Sequence, residues 1–350
     1  MPASPRARPF DISQLHTEDL LDLRLCDLKL SLSKSPFQRC IDHLERELDF
    51  KCLRFRPHYW ISDEFFCPEG IPGMAIPFYL LHPRLQKLEK EMMLEVEGES
   101  FESALKILRH ETGHALEHAY QLHLRKKKQN IFGSTRKPYP DTYTPRPFSR
   151  SYVINLGNGY AQAHPDEDFA ETFAVWLDPF SNWESRYDGW PALKKLTYID
   201  ELMNEISGLA PLRRTRREVD PLSKLKHSLR QHYQTKQERY GLKRPLHIHD
   251  QDLLRVFSRP PQNPEPRPND ALSADQFIRK HRRMLRKSVG EWTGQYRYLV
   301  DQVIETFRQR SKELDLLVLE DERQTLQNLI LLTAVKTMKY AHEGGYQVAL

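Results

Sequence analysis

The sequence HETGH, at residues 110–114, constrains the fold of this chain more than any other feature. It lies in a segment, residues 100–126, where apolar side chains recur with helical spacing, so we expect one long helix there. Residues four apart share a helix face and lie about 6 Å apart along the axis. His110 and His114 can therefore bind one tetrahedral ion, and Glu111 can reach a metal-bound water and act as a base.

A catalytic zinc ion needs a third protein ligand and leaves a fourth position open. The candidate for this ligand lies in HPDEDFAETF, residues 164–173. If Pro165 starts a helix, Glu167 and Glu171 lie one turn apart on one face. Glu167 could then bind the ion, and Glu171 could accept the free ring N–H of a ligand histidine. Acidic residues in a first turn also stabilise a helix dipole, but Glu171 lies beyond that turn among apolar residues, where a carboxylate needs a partner.

HETGH followed by a separate helix with EDFAE resembles the gluzincin metallopeptidases, whose third zinc ligand is a glutamate. The resemblance includes the catalytic domain of anthrax lethal factor and a bacterial family called putative zinc-binding metallopeptidases, and it covers about residues 20–205. It implies one Zn²⁺ per chain, bound by His110, His114 and Glu167, with Glu111 as general base. It also implies that Glu171 supports a ligand histidine. Many members of the bacterial family begin with a CxxC zinc ribbon, which this chain lacks.

Tyr160, in the sequence GNGYAQAHPDE, enters through the same resemblance. In the lethal-factor pattern a tyrosine stands seven residues before the glutamate ligand, and Tyr160 stands seven residues before Glu167. The resemblance therefore implies that Tyr160 donates a hydrogen bond to the transition state. A tyrosine that only packs in the core remains the alternative.

The predicted fold class is α+β. We expect a zincin-like domain at residues 1–212, with a small mixed sheet, the HExxH helix and a second helix that carries the glutamate ligand. An all-helical region follows at residues 213–350, with a Pro-rich linker at 259–270. Alternating leucines predict a strand over 21–32, and two further extended pieces are expected at 58–61 and 74–80. The piece at 74–80 is either an edge strand that pairs with a peptide substrate or a plain core strand.

The segment from Lys126 to Ser151 is basic and rich in proline, without a helical or strand period. Such a long connection is either a lid over the site or a disordered segment.

Charge divides the chain at about the same place as the predicted domains. Residues 1–210 carry 26 Lys and Arg against 31 Asp and Glu, a net charge of −5, whereas residues 211–350 carry 27 against 17, a net charge of +10. The basic half could contact phosphates, so a nucleic-acid-associated protease of the SprT-like kind stays as an alternative. Proteases of that kind use three histidines, however, and here the third ligand is expected to be a glutamate.

The function predicted from these features is hydrolysis of peptide bonds in a peptide or protein substrate by a zinc-activated water. A catalytically silent, zinc-stabilised helical adaptor is the second alternative, although such a protein has no reason to keep Glu111. The sequence contains no apolar run long enough for a membrane helix and no secretory signal, so a cytoplasmic location is expected. The four cysteines form no CxxC pair, which excludes a zinc ribbon. The oligomeric state is left open.

Overall fold

Helices make up most of the fold, and strands are few and short. The computed structural model describes residues 11–146, 148–243, 245–246, 248–260, 272–344 and 346–347. In the first half of the chain the helices are α1 (Thr17–Leu21), α2 (Gln38–Phe50), α3 (Pro83–Met93), α4 (Phe101–Tyr120), α5 (Lys126–Phe132), α6 (Pro165–Leu177), α7 (Trp183–Arg186) and α8 (Ala192–Ile206). In the second half they are α9 (Leu229–Tyr240), α10 (Asp250–Leu253), α11 (Ala274–Thr293), α12 (Arg297–Glu313) and α13 (Glu322–Gly344). The α+β class is thus supported, whereas the zincin-like detail stays a prediction.

The strands form two small pairs. β1 (His58–Ser62) and β2 (Gly73–Pro77) run parallel, and every residue of β2 is buried. β3 (Thr142–Tyr143) pairs antiparallel with β4 (Tyr346–Gln347). Ala75 of β2 also forms an antiparallel bridge with Phe66, with its amide donating to the Phe66 carbonyl at 2.9 Å. Because Ala75 already has β1 as one neighbour and Phe66 as another, the open edge that a substrate strand requires is partly occupied.

The first hydrophobic core surrounds α4. This helix packs against α2, α6 and β2, and α8 packs on the far side of α6. Ser100 caps α4 by accepting a hydrogen bond from the Ser103 amide at 3.1 Å, and the left-handed Gln121 ends the helix. The helix is therefore shorter at its carboxyl end than the sequence predicted, because a left-handed residue cannot continue an α-helix.

The strand predicted over residues 21–32 is wrong. Leu25–Asp27 and Leu32–Lys34 form turns of 3₁₀ helix, and Arg24, just before the first turn, forms an isolated antiparallel bridge with Ser228 before α9. The leucines predicted for one strand face are nevertheless largely buried, since Leu25 and Leu28 join the first core. The buried leucines form turns here because no second strand lies beside them to make a continuous ladder of hydrogen bonds. Alternation of apolar residues alone does not distinguish a strand from such turns.

A second hydrophobic core lies among α10, α11, α12 and α13. Its fully buried members begin at Leu253 and end at Leu329, whereas those of the first core end at Tyr233 on α9. The boundary between the two hydrophobic cores therefore lies later in the chain than the change in net charge. The domain division at residue 212 stays a prediction. Most of the predicted Pro-rich linker at 259–270 lies outside the described residues.

The second core consists of helices, as predicted for the region after residue 213, although the short strand β4 also lies in that region. Among the helices that the structure describes, none combines the length and apolarity needed to cross a bilayer.

Candidate metal centre

Two helices supply the predicted site residues, and each begins at a defined cap. In α4, His110 and Glu111 are buried, and the side chain of His114 is 12% exposed. α6 starts where it was predicted, because Pro165 occupies its first turn and His164 Nδ1 accepts a hydrogen bond from the Asp166 amide at 3.2 Å. This start places Glu167 in the first turn and Glu171 in the next, and both are buried.

Gly113, inside the HETGH motif, explains how the two helices approach so closely. A Cβ atom at this position would lie 2.9 Å from Ala170 Cα and 3.3 Å from Ala170 Cβ. Real Cβ atoms avoid contacts of this kind, so only glycine fits between α4 and α6 at this spacing. The close packing brings Glu167 and Glu171 against the histidine side of α4.

Three side-chain atoms converge at the contact between the helices. His110 Nε2 lies 3.1 Å from His114 Nε2 and 3.0 Å from Glu167 Oε2, and His114 Nε2 lies 3.4 Å from the same oxygen. A tetrahedral zinc ion bound at about 2.0–2.1 Å holds its ligand atoms about 3.3–3.4 Å apart. The triangle therefore has the size of one face of a zinc tetrahedron, and the residues fit the ion.

The orientation of His110 supports the same conclusion. Its Nδ1 lies 2.9 Å from Glu171 Oε1, and a carboxylate can only accept at that contact, so in the neutral imidazole Nδ1 carries the proton and Nε2 has the lone pair that a metal ion would bind. Glu171 is itself fixed by Asn155 Nδ2, which donates to Oε1 at 2.8 Å, and by the Leu156 amide, which donates to Oε2 at 2.9 Å. The structure thus places Glu171 in the position predicted for the group that fixes the tautomer of a ligand histidine.

The electrostatics of the cluster favour a bound cation. Burial lowers the pKa of His110, but hydrogen bonds and negative charge from Glu167 and Glu171 outweigh burial and raise it well above its usual value. Burial raises the pKa of Glu167, but the two histidines outweigh burial and lower it. Glu167 Oε2 is buried against the two histidines, 3.0 Å from His110 Nε2 and 3.4 Å from His114 Nε2. Three acceptor atoms that attract a proton so strongly also suit a divalent cation.

Glu111 lies beside this triangle on α4. Burial is the largest influence on its carboxyl group and raises the pKa, and Glu167 raises it further, while His110 and His114 oppose the shift. A raised pKa brings a carboxyl group closer to the neutral range in which a general base works best.

Tyr160 reaches the same cluster from a loop. It follows Gly159, whose positive φ of 63° begins a turn of 3₁₀ helix at Tyr160–Gln162. The ring of Tyr160 lies 5.7 Å from the His110 ring, measured between centroids, and 6.1 Å from the Tyr143 ring. Burial, followed by the charges of Glu167 and Glu111, raises the pKa of Tyr160 and keeps its hydroxyl protonated, as a hydrogen-bond donor requires.

Tyr139 belongs to the centre and was not predicted. Its hydroxyl donates to Glu167 Oε1 at 3.0 Å, and its ring stacks on His164 with centroids 3.9 Å apart. It lies in the segment 126–151, which was predicted to have no regular structure but contains α5 and β3. No spacing rule links Tyr139 to Glu167, so its only signal in the sequence is that of an aromatic residue in the suspected lid.

A buried ion pair fixes α5 to the site. Lys128, fully buried, contacts Glu117 of α4, and its ammonium lies 3.0 Å from Asp166 of α6. A buried cation needs such partners because desolvation is costly. Lys128 thereby joins the two site helices to the segment that carries Tyr139.

Comparison with known proteins supports the same region. Residues 86–201, which contain α4 and α6 in full, match the model of a family described as "Putative zinc-binding metallo-peptidase". No curated protein and no solved structure gives a significant match. The match covers less than half of the chain and leaves out α9 to α13, so it supports the resemblance of the site region to that family and is silent on the rest.

Proposed function

We propose that this chain is a zinc-dependent peptidase of the gluzincin type, which hydrolyses peptide bonds in a peptide or protein substrate. The family match of residues 86–201 gives the coarse class, a zinc-binding peptidase. The observation that carries the proposal is the convergence of His110 Nε2, His114 Nε2 and Glu167 Oε2 within 3.0–3.4 Å of one another. One Zn²⁺ per chain is proposed at these three atoms.

When bound, zinc supplies a Lewis acid that acidifies water and polarises a carbonyl group. Glu111 accepts a proton from the attacking water and later returns it to the nitrogen of the leaving amine, so the carboxylate is regenerated at the end of the cycle. Its burial favours the first step, because a poorly solvated carboxylate accepts and holds a proton more readily.

The remaining residues orient a metal ligand or stabilise the transition state. Glu171 holds His110 in the tautomer that leaves Nε2 to the metal. Tyr139 donates a hydrogen bond to Glu167 Oε1, so Oε2 is the oxygen that faces the histidines. Tyr160 donates from its hydroxyl to the oxygen of the carbonyl under attack, as negative charge develops there, and a donor of this type is typically worth about 2.7–4 kcal/mol in the transition state.

The SprT-like alternative has less support. The third donor in the cluster is a carboxylate, and two arginines of the basic stretch 281–287 are already paired, Arg282 with Asp301 and Glu305 and Arg286 with Asp301. Side chains neutralised in this way offer less positive charge to a phosphate backbone. The cytoplasmic location stays a prediction, and so does the oligomeric state.

The test is metal content measured by mass spectrometry together with cleavage of a peptide library. For wild type we expect zinc and cleavage, for Glu111→Gln zinc without turnover, and for Glu167→Ala loss of both. Circular dichroism of each variant controls for folding. Cleavage by a folded Glu111→Gln variant would remove the general-base role. A folded wild type that binds no zinc would refute the proposal and favour the silent helical adaptor.

A further inference from the structure

A second group of metal donors lies where β1 meets the amino end of α9. Asp63 follows β1 directly, His227 precedes the N-cap residue Ser228, and His232 lies in the first turns of α9. Donor atoms of Asp63, His227 and His232 all lie within 4.8 Å of one another. Two imidazoles and one carboxylate make up the same donor set as in the candidate metal centre.

Hydrogen bonds hold β1 and the segment before α9 in place, and these bonds do not involve the ring nitrogens of His227 and His232. Ser62 Oγ donates to the Asp220 carbonyl at 2.6 Å, and Trp60 Nε1 donates to the Val219 carbonyl at 2.9 Å. The His227 carbonyl accepts from the Leu25 amide at 3.0 Å. Among the described residues, the side-chain contact of the group is that of Asp63 Oδ1, which lies 3.1 Å from Ser62 Oγ and shares with the Asp220 carbonyl the single proton of that hydroxyl. The second carboxylate oxygen and the imidazoles remain for a ligand.

The buried nitrogen of His232 is an independent sign of a ligand. The residue is 6% exposed, and its Nε2 is buried without a hydrogen-bond partner among the described residues. Phe78 and Tyr233 hold the ring from the sides, with centroids 5.4 Å and 5.0 Å away, so the ring has little freedom to turn towards solvent. A buried polar atom without a partner is unfavourable, and a metal ion would satisfy it.

We propose that Asp63, His227 and His232 bind a divalent first-row transition ion of the Zn²⁺ type, which ties the end of β1 to α9. Calcium and magnesium prefer sites made of oxygen atoms alone, and two imidazoles disfavour both. All three donor atoms lie within 4.8 Å of one another, and the half-buried Asp63 and His227 can shift to the roughly 3.3–3.4 Å spacing of a zinc tetrahedron.

The experiment is a calorimetric zinc titration of the metal-free full-length chain. The background variant His114→Ala/Glu167→Ala removes two ligands of the candidate metal centre and leaves the second group intact. This background should bind one equivalent of zinc, and zinc should raise its melting temperature. Adding His227→Asn should weaken this binding at least tenfold, and so should adding Asp63→Asn, which keeps an acceptor for Ser62 and removes the charge.

His281→Asn is the matched control in the same background. His281 is also a half-buried histidine whose Nε2 has no partner among the described residues, but it belongs to neither group of clustered donors. It should leave the titration unchanged. The proposal is overturned if the folded background binds no zinc, or if zinc binds with unchanged affinity after both His227→Asn and Asp63→Asn. Because the background lacks the candidate metal centre, either result is independent of peptidase activity.

Discussion

The region around α4 and α6 and the bundle of α11, α12 and α13 both contain many charged residues, but they place them differently. Near the site, charges are buried with fixed partners: Arg109 is 7% exposed and Glu47 is 4% exposed. In the bundle, many charged pairs lie at the surface, as with Lys280 and Glu322, each 55% exposed, although Lys336 of α13 is buried beside Asp252. A buried charge is tolerated only in a defined geometry, whereas a surface charge is screened and solvated.

This difference explains why net charge is a poor guide to function in this chain. The C-terminal half carries a net charge of +10, yet Arg282, Arg286 and Arg308 lie beside carboxylates of their own bundle. The N-terminal half has a smaller net charge, yet it holds the histidines and the carboxylate of the candidate metal centre. Where several charged groups are buried together, their arrangement, rather than their net charge, indicates a functional site.

Two arginines with similar partners make the sharpest test of this comparison. Arg109 pairs with Glu47 through two nitrogens and with Asp178 at 3.0 Å, and Arg282 pairs with Asp301 through two nitrogens and with Glu305 at 2.7 Å. Arg282 is 31% exposed. Arg109→Met leaves the buried Glu47 carboxylate with only the His43 ring, at 3.2 Å, as a partner and should lower the free energy of unfolding by about 3–5 kcal/mol. Arg282→Met should cost about 1 kcal/mol or less.

Urea unfolding of the two variants, followed by circular dichroism, measures both losses. Equal losses would break the comparison, because burial would then not decide what a paired charge contributes to stability.

Tyr160→Phe tests whether the Tyr160 hydroxyl, which burial keeps protonated, takes part in catalysis. We expect kcat to fall by about 10²–10³, because one donor to the developing oxyanion is lost, while zinc content stays the same. Tyr298→Phe on α12, in the bundle, is the control and should leave kcat unchanged. An increase in KM alone would make Tyr160 a substrate-binding group instead.

Much of the candidate site could be predicted because it depends on spacing within single helices. The four-residue step from His110 to His114 and from Glu167 to Glu171 needs only the helical period and a helix start at Pro165. The roles proposed for these residues remain to be tested. The structure adds what joins the helices: Asn155 on Glu171 and Tyr139 on Glu167. These contacts span loops, and their partners cannot be read from a local pattern.

The secondary structure was predicted less well in segments where the hydrophobic period does not reveal what buries the side chains. The leucines of residues 21–32 are largely buried, but no strand lies beside them over their length, so 3₁₀ turns replaced the predicted strand. The segment 126–151 was predicted to be irregular because it is basic and rich in proline and has no helical or strand period, yet Lys128 is buried beside Glu117 and Asp166, and α5 forms around it. In both segments the decisive partner is distant in sequence or belongs to another helix.

Gly113→Ala tests how tightly the two site helices must pack. The new Cβ would lie 2.9 Å from the backbone of Ala170, so α6 has to move outward. Overpacking costs about 1–3 kcal/mol, and the better helix propensity of alanine recovers at most about 1 kcal/mol, so a net loss of about 1–2 kcal/mol is expected. Zinc affinity should fall at least tenfold, because Glu167 moves with α6.

Gly290→Ala in α11 is the matched helical control. Its nearest neighbours would be the flexible Arg297 side chain at 3.2 Å and the Gln295 carbonyl at 3.3 Å. It should therefore change stability by no more than about 1 kcal/mol in either direction. Thermal unfolding and zinc titration measure both variants, and unchanged zinc affinity in Gly113→Ala would mean that the helices need not pack so closely.

The smallest effect is expected where the two regions touch. Asn158, in the loop before Tyr160, has a φ of 58° and donates from Nδ2 to the Gly294 carbonyl of the bundle at 2.8 Å. Asn158→Gly keeps the left-handed backbone accessible but removes the bond, so we expect about 0.5–1.5 kcal/mol of lost stability. Because about 1.4 kcal/mol corresponds to a factor of ten, kcat/KM should fall by no more than about tenfold.

Asn182→Gly separates this bond from the general effect of glycine. Asn182 also has a positive φ, 44°, and is exposed, but its side chain makes no capping hydrogen bond to α7. Both variants gain the same freedom in the unfolded chain, so the difference between their unfolding free energies reports the contact with Gly294. If Asn158→Gly lowers kcat/KM and Asn182→Gly does not, the bundle helps to hold the loop that carries Tyr160. If the two variants behave alike, the site region works without support from the bundle at this point.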